Sequence, residues 1–208
     1  MKILIIGTHR SGTSNLMMAL SEVYNLKHIP EPWNIELNES LNRTTEYFTY
    51  PDILNRYGVI KSLVEHYPST FNSASDFYLD CKKHFDHIII LGRENRIQLA
   101  ESKAYAKLNN TWYSTYSIEK NNTLDLDMGG VNKECDDLIK ISSKLRIPIT
   151  WYEDLYSGDM SVINHVVSKW SLGIETNIIS RYLNPKDKLR KFVGDKKTLI
   201  YFFIFFIF

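Results

Sequence analysis

Ile3-Leu4-Ile5-Ile6 is a continuous apolar run that ends in a glycine-bounded loop, Gly7-Thr8-His9-Arg10-Ser11-Gly12-Thr13-Ser14. An amphipathic stretch follows, with Leu16, Met17, Leu20, Val23 and Tyr24 at helical spacing and Ser21 and Glu22 on the other side. Buried strand, tight loop, helix: this order constrains the fold more than any other segment. The aliphatic run reads as a strand covered on both faces. Two glycines let the backbone turn so that successive N–H groups face one anion, and the positive end of the next helix faces the same point. Ser14 is the expected N-cap. The loop that holds nucleotide triphosphates reads G-x-x-x-x-G-K-[ST]. Here Thr13 stands where that lysine would be, and the loop's cation is Arg10, ahead of the second glycine.

Other segments repeat the alternation. His87-Ile88-Ile89-Ile90-Leu91 is short, β-branched and continuous, with Gly92-Arg93-Glu94-Asn95 as the turn after it. Pro148-Ile149-Thr150-Trp151-Tyr152 is a third strand. Val59 to Leu63 reads as a short strand or as the start of a helix to His66, and Phe77-Tyr78-Leu79 as a weaker strand. Helical spacing marks residues 96–108 (Ile97, Ala100, Ala104 and Leu108 on one face), 134–145 (Leu138, Ile141 and Leu145 inward) and 160–172. Pro30 and Pro32 make residues 28–34 irregular, because they block both helix and central strand. The sum predicts an α/β fold: three layers, α/β/α, around a central parallel sheet of the P-loop nucleotide-binding type. Ligands of such sheets sit at the carboxyl ends of the strands, so the turns after Ile6 and Leu91 are expected to face one crevice.

At 208 residues the chain has room for one such domain, assigned to residues 1–197, with 198–208 as an apolar tail. A formal net charge of +1 offers no bulk basic field, so nucleic acid is not an expected partner and any anion site must be local. Cys81 and Cys135 match no metal or redox spacing, and the first strand begins at the initiator methionine. Both point to a cytoplasmic location. The tail reads TLIYFFIFFIF; as a helix it reaches only ~15 Å against ~30 Å of hydrocarbon. It is therefore not read as a transmembrane segment. A buried terminal strand, an oligomer or interfacial contact, and the product of a frame change in AT-rich coding remain open.

Arg10-Ser11-Gly12-Thr13-Ser14 resembles the [KR]-S-G-T-[ST] core of the loop in sulfotransferases that use 3′-phosphoadenosine 5′-phosphosulfate (PAPS). The resemblance implies that the loop, with Ser11 and Gly12 in it, wraps the phosphosulfate. Arg10 would contact bridging and sulfuryl oxygens, and Thr13 and Ser14 would donate to the 5′-phosphate. The segment from Leu91 through Ser102 resembles the same family's 3′-phosphate site, with Arg93 just after a strand and Ser102 on the next helix. Their separation of nine positions is one more than in the commoner cytosolic pattern and nearer the microbial, carbohydrate-type branch. A surface salt bridge is the other reading of Arg93. Tyr152-Glu153-Asp154-Leu155 resembles a late "YEDL" of the family and is assigned no chemistry. Residues 189–197 resemble a C-terminal R-K-G-x-x-G-D-x-K segment, one residue shorter and without its first glycine. Arg190 and Lys191 are the implied 3′-phosphate contacts, unless they form only a solvated basic run.

Sulfuryl transfer to a hydroxyl needs a base. Glu31, held between Pro30 and Pro32 where the carbohydrate- and tyrosine-type branches place a glutamate, is the first choice, and His28 the alternative. Partial burial beside Trp33 is expected to raise the Glu31 pKa. The reading is a PAPS-dependent sulfotransferase acting on a hydroxyl, or an amine, of a carbohydrate or small molecule. Arg10 and the loop amides would stabilise charge, and no metal would be needed. Tyr47, Phe48, Tyr50, Tyr57, Trp112, Tyr113 and Tyr116 suit stacking on a sugar or ordinary packing equally well. The rivals are a small-molecule kinase using ATP and Mg²⁺, and a nucleotide-binding module without chemistry. Residue type and spacing leave the acceptor and the oligomeric state open.

Overall fold

The apolar run that opens the chain is strand β1 (Ile3–Gly7), and all of its residues are buried. The computed structural model describes residues 1–40, 50–109, 124–173 and 175–183. Arg190, Lys191 and the tail 198–208 lie outside the described residues. The other strands are β2 (His28–Pro30), β3 (Val59–Leu63), β4 (His87–Gly92) and β5 (Ile149–Trp151). All pair in parallel, in the order β2-β3-β1-β4-β5. The helices are α1 (Thr13–Tyr24), α2 (Ile35–Ser40), α3 (Tyr50–Arg56), α4 (Ala74–Cys81), α5 (Arg96–Asn109), α6 (Met128–Leu145), α7 (Tyr152–Leu155), α8 (Met160–Ser168) and α9 (Thr176–Leu183).

Alternation along β1 sorts its side chains between two cores. Ile3 and Ile5 cluster with Leu16 and Leu20 of α1, Ile163 and Val167 of α8, and Ile179 of α9. Leu4 and Ile6 cluster with Ile53 of α3, Phe77 of α4, and Leu138 and Ile141 of α6. Helices therefore cover both faces, and the expected three-layer α/β/α architecture with a parallel sheet is what the chain forms. Each fully buried aliphatic side chain contributes about 1.5–3 kcal/mol, so this two-sided burial is the main source of stability. A smaller cluster of Leu99, Ala100, Val131 and Cys135 ties α5 to α6. No helix among the described residues is long and apolar enough to cross a membrane.

Several local expectations are corrected. Residues 28–30 form a strand, and Pro30 is tolerated because β2 lies at the sheet edge. Phe77-Tyr78-Leu79 is helical, within α4; Ser73 caps that helix by accepting from the Asp76 N–H. Burial rather than β-propensity decides there, since the Tyr78 hydroxyl donates to the Leu63 carbonyl at 2.8 Å. On α5 the inward residues are Leu99, Ala100 and Ala106, while Ile97 and Leu108 are each 59% exposed. The apolar stripe read from spacing was off by part of a turn, because α5 packs mainly on α6 rather than across the sheet. Ser14 does not cap α1: the N-cap is Gly12, in left-handed conformation, with no side-chain cap bond. Helix α8 stops at Ser168, short of Leu172.

Two features bind the first loop to its surroundings. A Cβ on Gly12 would lie 2.5 Å from a ring carbon of Tyr156, at a φ of +83°, and the Tyr156 hydroxyl donates to the Gly12 carbonyl at 2.9 Å. Glu134 of α6, 5% exposed, pairs with Lys103 of α5 and accepts from the His9 backbone N–H at 3.2 Å. Burial pushes the Glu134 pKa up, but the bond from His9, its charge and Lys103 outweigh burial and hold the group at about 2.

Gly12→Ala is expected to cost roughly 2–4 kcal/mol, from backbone strain plus overpacking, read as a lower melting temperature. Because the folded pKa of Glu134 is below its unfolded value of about 4.3, its stabilisation is complete above that pH and is lost as pH falls toward 2. Melting temperature should drop through this acid window. Glu134→Gln should flatten that drop while costing roughly 2–3 kcal/mol at neutral pH, by leaving Lys103 without its partner.

Candidate active site

The loop from Gly7 to Ser14 leaves the carboxyl end of the central strand. Register sets Gly7 opposite Leu63 of β3 and Leu91 of β4, so the ends of all three strands open onto one crevice. Gly7 has no room for a side chain: a Cβ would sit 2.5 Å from the Thr13 methyl and 2.7 Å from the Leu91 carbonyl oxygen. Arg10 and Gly12 both take positive φ, +57° and +83°, the left-handed turns that gather N–H groups around an anion. Ser11 is fully buried, and its hydroxyl donates to the Thr8 carbonyl at 2.7 Å. Ser11 thus braces the loop from inside. Thr13 is also buried.

The two halves expected of a nucleotide grip meet. Arg10 Nε donates to Ser102 Oγ of α5 at 3.0 Å. The Arg10 guanidinium is held below its ordinary pKa by burial first and by the Arg93 charge second, with Tyr152 acting the other way. Arg93 stacks over the Tyr152 ring at 4.5 Å. Its Nε is 3.7 Å from Glu153 Oε1 and buried without a hydrogen-bond partner among the described residues. The salt-bridge reading of Arg93 is therefore realised in part, with a buried donor left over. Glu153 also accepts from the Glu94 N–H at 3.0 Å, which shapes the turn after β4. A cleft beside Arg93 is lined by Arg96 and Trp151 as well.

On the other side of the loop, Lys61 of β3 is 4% exposed in the middle of a buried strand. A buried ammonium needs a partner, and it has two. Lys61 Nζ pairs with Glu31 Oε1 and donates to Ser14 Oγ at 3.1 Å. Glu31 follows β2, and its N–H extends the ladder to the Lys61 carbonyl at 2.7 Å. Its own φ is +49°, a strained value for a non-glycine residue that costs on the order of 1–3 kcal/mol. The pKa expectation for Glu31 is reversed. Burial does push it up, yet the Lys61 charge and the bonds from Lys61 and Asn34, aided by His66, bring it below the ordinary value. Asn34 Nδ2 donates to Glu31 Oε2 at 3.1 Å, and Trp33 packs against Phe77.

His28 is not brought to this site. It pairs with Val59 at the amino end of the sheet, and its Nδ1 is 2.8 Å from Ser21 Oγ. A different imidazole is close: His66 Nδ1 lies 3.5 Å from Glu31 Oε2. Burial chiefly, with the His9 and Lys61 charges, lowers the His66 pKa to about 4 against the pull of Glu31 and Glu134.

Arg10, Ser11, Gly12, Thr13, Ser14, Glu31, Arg93 and Ser102 thus gather around the carboxyl ends of β1, β2 and β4. Arg190 and Lys191 fall outside the described residues, as do Tyr47, Phe48, Trp112, Tyr113 and Tyr116. Sequence reasoning missed Lys61, His66, Tyr152 and Tyr156. The charge of Lys61 inside an apolar run was the readable signal for the first, since a buried strand carries a lysine only where something pairs with it. Tyr152 stood in the YEDL segment, which was assigned no chemistry, and Tyr156 gave no signal; their contacts with Arg93 and Gly12 span more than fifty residues of chain.

No protein-family model matches the sequence, and no curated protein matches it. Among solved structures the chain is similar to shikimate kinase from Bacteroides thetaiotaomicron, with 14% identity and a TM-score of 0.48 over 81% of this chain and 94% of that one. A likeness of that size says nothing about substrate or reaction.

Proposed function

We propose that the chain is a PAPS-dependent sulfotransferase acting on a hydroxyl, or less readily an amine, of a carbohydrate or small molecule. The carrying observation is the 3.0 Å bond from Arg10 to Ser102, which joins the loop suited to a 5′-phosphosulfate to the helix suited to a 3′-phosphate. Two arginines close enough for one to lower the other's pKa form a local positive site that an anion relieves. An acceptor oxygen attacks the sulfur as the bond from sulfur to the 5′-phosphate oxygen breaks. Arg10 and the loop N–H groups stabilise the charge that develops on the transferred group and the leaving phosphate. Glu31, kept ionised by Lys61, takes the acceptor proton. The products are a sulfate ester and 3′-phosphoadenosine 5′-phosphate. Arg190 and Lys191 are the proposed further contacts of the 3′-phosphate.

Lys61 also weighs against ATP–Mg²⁺. In a nucleotide-triphosphate loop the hydroxyl after the lysine ligates Mg²⁺. The residue at that place is Ser14, whose oxygen accepts from an ammonium, and a cation already seated there repels a second one.

3′-Phosphoadenosine 5′-phosphate, at about a hundred times its Kd, should stabilise the chain by about 2.7 kcal/mol in a thermal-shift assay. A shift produced by ATP–Mg²⁺ alone would sink the proposal in favour of a kinase. Arg93→Ala should weaken the 3′-phosphorylated nucleotide about tenfold or more and leave adenosine 5′-phosphate unchanged; equal losses would remove Arg93 from the site. Glu31→Gln should slow sulfuryl transfer by about 10²–10⁴ with nucleotide affinity retained. Nucleotide binding without transfer in either form would identify a module that has lost its chemistry.

A further inference from the structure

We propose that His9, Glu65 and His66 form a binding site for a divalent transition-metal ion of the zinc class. His9 lies on the loop after β1, and Glu65 and His66 follow β3, so the pairing of these strands sets the three side by side. One ligand atom from each lies within 4.8 Å of the others. Glu65 Oε1 is 3.5 Å from His9 Nε2 and 3.6 Å from His66 Nε2. A tetrahedral ion with bonds of about 2.0–2.1 Å holds its ligands roughly 3.3–3.4 Å apart. Both separations are near that value, and the Glu65 side chain, 49% exposed, is free to adjust and leaves the ion a way in from solvent. The two rings cross at 86° with centroids 6.0 Å apart.

The second layer of contacts separates this group from a chance cluster. His9 Nδ1 is 3.3 Å from Glu134 Oε2, and His66 Nδ1 is 3.5 Å from Glu31 Oε2. The negative charge of a carboxylate beside each Nδ1, outside hydrogen-bond geometry in the case of His66, favours the proton on that nitrogen and leaves the Nε2 lone pair on the side shared with Glu65. Lys61 and Lys103 anchor those two carboxylates in turn. The local charge has room for a cation, because the carboxylates of Glu31, Glu65 and Glu134 outnumber the ammonium groups of Lys61 and Lys103. Two imidazoles with one carboxylate suit Zn²⁺, whereas Mg²⁺ and Ca²⁺ prefer oxygen ligands throughout. Three protein ligands leave a coordination position open. The sulfuryl transfer proposed above does not pass through this ion, whose three ligands are His9, Glu65 and His66.

The test is titration of the untagged full-length chain, stripped by chelator, with Co²⁺ and Zn²⁺. One equivalent of Co²⁺ should give visible d–d bands without a thiolate charge-transfer band, be displaced by Zn²⁺, and be indifferent to Mg²⁺. Glu65→Ala, at a half-exposed position, should weaken Zn²⁺ binding at least tenfold while the metal-free melting temperature stays the same. His66→Gln should abolish stoichiometric binding. Absence of binding, equal affinity in the wild type and both variants, or a thiolate band implicating Cys81 or Cys135 would overturn the proposal.

Discussion

The parallel pairing of β1 with β3 on one side and β4 on the other brings Gly7, Leu63 and Leu91 level. The rest of the structure depends on this alignment. A strand with neighbours at both edges and helices on both faces has no place for an unpaired polar group. Polar chemistry is therefore pushed to the carboxyl end, where the chain leaves the sheet. There the loop after β1 contributes His9 and Arg10, the segment after β3 contributes Glu65 and His66, β4 leads to Arg93, and the end of β2 leads to Glu31. None of these residues is near all the others in sequence; level strand ends make them neighbours.

Charge divides this rim into two regions with the loop between them. Toward β4 and α5, Arg10 and Arg93 face one another, with Ser102 bonded to the first and Tyr152 stacked beneath the second. Toward β2 and β3, carboxylates and imidazoles alternate, and lysines pin the carboxylates from behind. A buried ionised group is tolerated only with a partner of good geometry, so each region is locked by its own pairs. In the donor reading this division has a use. The cationic region would take the nucleotide's phosphates, and the region holding Glu31 would receive the acceptor's proton without competing for the anion.

The strands of this fold were legible where apolar residues were continuous. Ile3 to Ile6 and Ile89 to Leu91 are buried on both faces, and such runs have few alternatives to a parallel strand. The three-layer class followed from their alternation with helical spacing. Legibility failed where a third element decided the outcome. Phe77 and Tyr78 have the residue types of a strand but pack as a helix against Leu63 and Trp33. The loop and Arg93 were readable because their residues are local. The direction of the Glu31 pKa was not, since it depends on Lys61, thirty positions away, and on a strand pairing that no local pattern records. Burial was foreseen correctly there; the partner that reverses its effect was not.

The place of the missing loop lysine is a packed one. Thr13 occupies its place, is 3% exposed, and sets its methyl group 2.5 Å from the point a Cβ on Gly7 would occupy. The Thr13 methyl therefore packs directly over the backbone of Gly7. The ammonium near the loop comes instead from the neighbouring strand, as Lys61 at Ser14, and the guanidinium comes from Arg10 on the loop itself. Arg10 on the loop and Arg93 after β4 bring their cations from separate elements, while Lys61 stays committed to Glu31 and Ser14. A single lysine on a flexible stem follows one phosphate as a point charge, whereas spread and individually braced cations suit a ligand with anionic groups at both ends.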